Sequence, residues 1–99
     1  MKRLLLLMLG LSVGFIASAQ IIVTGIVVDE NDQPLIGATV VVPETTQGTS
    51  TDAGGNFQLQ VRGADAIQIS YLNYKTQVLA LDSKLPKQNL GTIKMEAEA

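Results

Sequence analysis

Few residues in this chain could do chemistry. The 99 residues include no histidine and no cysteine, so neither a Ser-His-Asp nor a Cys-His constellation can be assembled. The nearest substitute is a serine–lysine pair, Ser70 with Lys75. Ser70 sits in an alternating apolar and polar run and Lys75 lies beyond a turn, so both read as solvated surface. Carboxylates are more numerous, but hydrolysis by a carboxylate pair needs a cleft that raises the pKa of one of them. Asp29, Glu30 and Asp32 instead crowd a single turn. That turn offers oxygen to a hard cation, yet it lacks the spacing of an EF-hand loop, and it reads as an ordinary hydrated turn. Zinc prefers the imidazoles and thiolates this chain lacks. The sequence implies no catalytic residue, no metal site and no cofactor.

Tyr71 and Tyr74, with Phe57, are the aromatic residues after position 19. Exposed rings could stack on a sugar. The reading adopted is packing, with the hydroxyls reaching the surface.

The N-terminus has a different character. Lys2 and Arg3 precede an almost unbroken apolar run over residues 4–16, and Ala17-Ser18-Ala19 supplies a small-x-small site. This is the layout of a cleavable export signal. The run is shorter than the roughly 20 residues a membrane-spanning helix requires. The expected organisation is a helical signal peptide over 1–19 and one domain over 20–99. Removal of the leader takes away two of the seven basic residues and none of the nine acidic ones, which leaves a net charge of −4. An acidic chain without a basic stripe excludes nucleic acid as a partner. The absence of cysteine excludes both a disulfide staple and N-terminal lipidation, since Gln20 follows the cleavage site. The processed chain is not expected to span a membrane, and about eight strands of ten residues for a transmembrane barrel exceed its length.

The mature chain reads as short extended segments. Residues 21–29 form a first strand rich in Ile and Val, and residues 38–42 a second. Residues 45–52 suggest a short polar edge strand, and Gly54-Gly55 a tight turn. Phe57, Leu59 and Val61 alternate with polar residues, as do Ile67, Ile69 and Tyr71. Residues 76–81 and 90–95 complete the set. Period-two alternation with frequent turns indicates an all-β sandwich. The expected inward residues are Val23, Val27, Ala38, Val40, Val42, Phe57, Leu59, Val61, Ile67, Ile69, Leu79, Leu81, Ile93 and Met95.

Three blocks then carry a resemblance. They are Val23-Thr24-Gly25-Ile26-Val27-Val28-Asp29 followed by Pro34-Leu35-Ile36-Gly37-Ala38-Thr39-Val40; Gly48-Thr49-Ser50-Thr51-Asp52-Ala53-Gly54-Gly55-Asn56-Phe57; and Ile69-Ser70-Tyr71-Leu72-Asn73-Tyr74-Lys75-Thr76. Together they resemble the carboxypeptidase-regulatory-like domain. The resemblance implies a seven-stranded, transthyretin- or Ig-like Greek-key sandwich with Gly25, Pro34, Gly37, Asp52, Gly55, Phe57 and Tyr74 in structural roles. Asp32, Gly54 and Asn73 depart from the pattern, and Asn73 keeps a positive φ possible where glycine is usual.

Such domains accompany metallocarboxypeptidases without catalysing, and they form the N-terminal extension of TonB-dependent outer-membrane receptors. The resemblance therefore implies a non-enzymatic accessory module of the envelope, exported to the periplasm or the periplasmic side of the outer membrane, that serves nutrient uptake. Its partner would be an envelope protein or an adjoining receptor domain. The alternatives are a free-standing glycan- or peptide-binding module and an accessory domain of a metallocarboxypeptidase. One feature of the residues favours a partner: the first strand is apolar on both sides. Ile22, Ile26 and Val28, joined by Val41, form the expected interaction face.

Overall fold

The computed structural model describes residues 20–98. The expected helical leader and its cleavage after Ala19 lie outside the described residues. Every regular element within them is a strand: β1 (Gln20–Val28), β2 (Thr39–Val41), β3 (Gly48–Ser50), β4 (Asn56–Arg62), β5 (Ala66–Ser70), β6 (Gln77–Ala80) and β7 (Lys87–Lys94). No helix among the described residues is long and apolar enough to cross a membrane.

The strands form two sheets, one of order β4-β1-β7 and one of order β3-β2-β5-β6. β1 is antiparallel to β4 and parallel to β7, and every pairing in the four-stranded sheet is antiparallel. This is the all-β, seven-stranded sandwich expected from the sequence. The clearest source of the fold is β4, whose residues alternate strictly between exposed and buried. Phe57, Leu59 and Val61 point into the space between the sheets, where Val23 and Val27 of β1, Val40 of β2 and Ile67 and Ile69 of β5 meet them. Two facing apolar layers are thereby removed from water, which supplies the main driving force.

The expected inward residues are buried except Leu79, which is half-buried. It belongs to β6, an edge strand with a neighbour on one side only. Ile21, Val28 and Leu35 are buried in addition. Two strands differ in extent. β3 is confined to Gly48–Ser50, because Thr45 closes a turn instead: its N–H and Oγ1 both donate to the Val42 carbonyl, and Glu44 takes φ 66°. β7 begins at Lys87, earlier than the apolar pattern indicates, because polar Gln88 and Asn89 are drawn into the ladder by parallel pairing with Val23 and Thr24.

Among the described residues Thr51 is the one buried polar side chain, at 4% exposure. Its Oγ1 accepts from the Ala38 N–H at 2.9 Å and donates to the Leu35 carbonyl. Its own N–H and C=O pair with the Ala38 C=O and the Gly37 N–H. One residue therefore fastens the loop before β2 to the end of β3. Thr51→Val preserves shape but leaves a buried donor and a buried acceptor unpaired. The expected cost is roughly 2–4 kcal/mol, read as a lowered denaturant midpoint at unchanged slope, with Thr51→Ser losing much less.

Two glutamines close the sides of the sandwich. Gln47 Nε2 donates to the Arg62 carbonyl at 3.2 Å while its Oε1 accepts from the Arg62 N–H at 2.8 Å. A side-chain amide thus stands in for a strand residue at the end of β4. On the opposite side Gln77 Nε2 donates to the Lys94 carbonyl at 2.6 Å, tying β6 to β7.

Candidate interaction surface

The residues of the first two sequence blocks come together. Gly25 and Phe57 are direct partners across β1 and β4, and a Cβ on Gly25 would stand 2.7 Å from Phe57 Cε1 and 3.3 Å from Ile93 Cδ1. Glycine is required because the ring lies against the backbone. Gly55 has φ +76°, and its Cβ position is occupied by the Val27 carbonyl oxygen, with Pro34 Cβ at 3.2 Å. Pro34 itself bridges to Val28. Gly37 adopts φ +80° in open space.

Asp52 organises the turn between β3 and β4. Its Oδ1 accepts from the N–H groups of Gly54 at 3.0 Å and Asn56 at 2.9 Å. The Asn56 N–H, foremost, holds the carboxyl below its ordinary value of 3.8. Tyr74 lies elsewhere. It packs half-buried against the core, 5.7 Å from Tyr71 between ring centres and tilted by 60°, and its backbone bridges to Ala97.

The structure does not gather Ile22, Ile26, Val28 and Val41 into one patch. Ile22 and Ile26 share the outer face of the three-stranded sheet. Val28 lies further along β1, but it is only 6% exposed. Val41 belongs to β2 and therefore to the other sheet, where its chain neighbours pair with β3 and β5. Alternation within a strand is legible in a sequence. Which sheet a strand joins is not.

Around Ile22 and Ile26 the register builds a shallow groove. Ile22 lies between Gln60 and Lys87, Thr24 between Gln58 and Asn89, and Ile26 between Asn56 and Thr92. Three adjoining hollows of about 420, 240 and 390 Å³ follow the outer face from Gln20 past Thr24 to Ile26. The seam widens where β1 and β7 slip in register between Thr24 and Ile26. β7 accommodates an extra residue there, with Gly91 at φ +71° and the Asn89 side chain accepting from the Gly91 N–H at 2.9 Å. Such a bulge twists and opens an edge.

The groove has one charged group at each end. Asp52 lines the hollow beside Ile26, and Lys87 lines the two nearer Ile22. Between them stand the amides of Asn56, Gln58 and Asn89, the Thr24 hydroxyl and the two isoleucines. This lining can hydrogen-bond an extended polypeptide and cover an apolar side chain, and it holds no imidazole or thiol. The amides were legible only as the polar half of an alternating strand. Nothing in their spacing marks them as the two walls of a groove, because β4 and β7 are brought to either side of β1 by pairing.

The geometry agrees with a known domain. The family model of the CarboxypepD_reg-like domain matches residues 23–99. The chain belongs to that family. This CarboxypepD_reg-like domain is also 45% identical over 85 residues to the TonB-dependent receptor SusC of Bacteroides thetaiotaomicron, covering 85% of the chain but 8% of that receptor's length. Among solved structures it is similar to an N-terminal interface mutant of a type II Cohesin-X-Dockerin complex from Acetivibrio cellulolyticus. The TM-score is 0.64 at 26% identity, over 78% of this chain and 58% of the other. The 3-chlorocatechol 1,2-dioxygenase of Rhodococcus opacus superposes with a TM-score of 0.54 at 11% identity, over 83% and 61% of the two chains, a likeness of fold alone.

Proposed function

We propose that this CarboxypepD_reg-like domain is a non-catalytic docking module of the cell envelope. It works on the periplasmic side of the outer membrane in TonB-dependent uptake of a glycan or peptide. The groove along β1 receives an uncharged extended segment of the adjoining receptor body. The observation that carries this reading is the groove itself: an isoleucine-floored, amide-walled track, free of charge between Asp52 and Lys87, on a face that an isolated sandwich would keep fully hydrated. Similarity to SusC supports a receptor as the partner. The Cohesin-X-Dockerin likeness supports a protein interface as this fold's work.

Ile26 is 38% exposed, so Ile26→Lys should cost little stability, within about 0.5 kcal/mol. A lysine in the groove must be desolvated when the groove is covered. Binding to purified SusC lacking the segment that matches this chain is therefore expected to weaken roughly tenfold or more, measured by calorimetry. Equal binding by the variant and the original would remove the groove from the interface. No binding by either would remove the receptor body as partner.

A further inference from the structure

The order of the strands decides how this domain meets tension. β1 and β7 are the first and last strands among the described residues, and they are immediate, parallel neighbours. Their ladder runs from Ile22 opposite Lys87 to Val28 opposite Lys94. Gln20 precedes the ladder on β1, and Glu98 follows it from β7. A pull between these two residues therefore enters at one end of the ladder and leaves at the other. The strands are drawn past each other along their length, and every rung is loaded together. Had the terminal strands been antiparallel neighbours, both ends of the pull would meet one end of the ladder, and its rungs would open singly.

The ladder is closed at both ends and backed by the core. The Ile22 N–H donates to the Pro86 carbonyl at 2.9 Å, and the Met95 N–H donates to the Val28 carbonyl at 2.8 Å. Evenly spaced parallel bonds fill the register between them, apart from the bulge after Thr24. β1 cannot travel with β7, because β4 holds its other side from Gln20 opposite Arg62 to Ile26 opposite Asn56. Nor can β7 slide freely. Ile93 and Met95 are buried between the sheets, and a slip of one residue would turn both toward water. Side chains fasten each end of β7: Gln88 Oε1 accepts from the Asp82 N–H at 3.0 Å, and Gln77 Nε2 donates to the Lys94 carbonyl. Beyond β7, the Glu98 N–H donates to the Asn73 carbonyl at 2.9 Å and the Lys75 N–H to the Glu96 carbonyl at 2.8 Å. Part of the load thus passes to the segment before β6 ahead of β7 itself.

We infer that this domain is a load-bearing link, in which β1 and β7 form a clamp that resists tension between Gln20 and Glu98 by shear. It passes a pull from one end to the other without opening. Forced unfolding is governed by the unfolding rate. The barrier is high when the whole ladder and the seats of Ile93 and Met95 must fail at once, and low when bonds break in turn. Resistance is therefore directional: great along the strands, small across them. The clamp is independent of the groove, since it needs no occupant there.

Single-molecule pulling tests this inference on residues 20–99, which hold every described strand and the core. The chain has no cysteine, so two introduced thiols serve as unique handles. Gln20→Cys with Glu98→Cys loads the ladder in shear. Gln20→Cys with Lys87→Cys draws both strands from the same end and opens the ladder rung by rung. At matched pulling speed the shear pair is expected to unfold at a force roughly twofold or more above the peeling pair. Gln20→Cys with Lys94→Cys loads the same ladder without the exit segment. It should also exceed the peeling pair, which holds the inference to account even if the handle at position 98 disturbs the fold. Equal forces in the two directions, or a weaker shear pair, overturn it. Loss of receptor binding by Ile26→Lys bears on the groove alone and leaves this result untouched.

Discussion

Replacing Gly55 by alanine is expected to remove a large share of the domain's stability. Two costs fall on one atom. The residue sits at φ +76°, a conformation that costs an L-residue about 1–2 kcal/mol. The new Cβ must also displace the Val27 carbonyl oxygen, with Pro34 behind it. That carbonyl accepts from the Leu35 N–H at 3.0 Å, and the Gly55 carbonyl accepts from the Val27 N–H at 2.8 Å, so moving either backbone disturbs both bonds. Overpacking adds about 1–3 kcal/mol, for a total of roughly 2–5 kcal/mol. A domain of this size is stable by roughly 4–12 kcal/mol. Denaturant melts of Gly55→Ala should show a large drop in midpoint. Gly37→Ala, at φ +80° with open space around it, should lose only the conformational part. If the two variants melted alike, the contact with Val27 would carry no weight.

The second large effect is expected at Gly25. Its alanine variant places a methyl 2.7 Å from one ring carbon of Phe57 and 2.9 Å from the next. Gly25 and Phe57 are paired in mid-strand with their bonds engaged, so neither can retreat without distorting the β1–β4 ladder. A loss of about 2–3 kcal/mol is expected. The diagnostic result is the double variant. Phe57→Leu alone opens a cavity and destabilises, but with Gly25→Ala it makes room for the methyl. The pair should therefore lose less than the sum of the two single changes. Strict additivity would show that the ring and the glycine do not act as a unit.

These two glycines show what the sequence could and could not supply. Strand positions followed from alternation: Phe57, Leu59 and Val61 can face only one way if Gln58 and Gln60 face water. Core membership followed with it. β7 was partly hidden because Gln88 and Asn89 have no β-preference of their own and enter the sheet only through a parallel partner more than sixty positions away. Val41 was misplaced relative to Ile22 for the same reason. Its apolar character was visible, but not the pairing that assigns β2 to the other sheet. Thr51 stood inside the second block, but nothing around it marked it as a core residue. A threonine in a polar run differs from its neighbours only when Leu35 and Ala38 arrive to bond it. The groove is similar: Ile22 and Ile26 were visible as an apolar face, but its amide walls exist only because β4 and β7 pair on either side of β1.

The amide clasps at Gln47 and Gln77 have a further consequence. Carboxamides do not titrate, and their bonds to main-chain carbonyls involve no net charge. The two ion pairs among the described residues, Lys94 with Asp32 at 3.1 Å and Lys75 with Glu96 at 3.7 Å, join side chains that are all more than half exposed, where dissolved ions screen them. The seam between the sheets is thus held by groups indifferent to acidity and ionic strength, and weather-dependent contacts are left to the periphery. A domain fastened in this way should keep its shape through swings of salinity, and acid should loosen the Asp52 turn, whose carboxylate must stay ionised to hold it, before it loosens the seam.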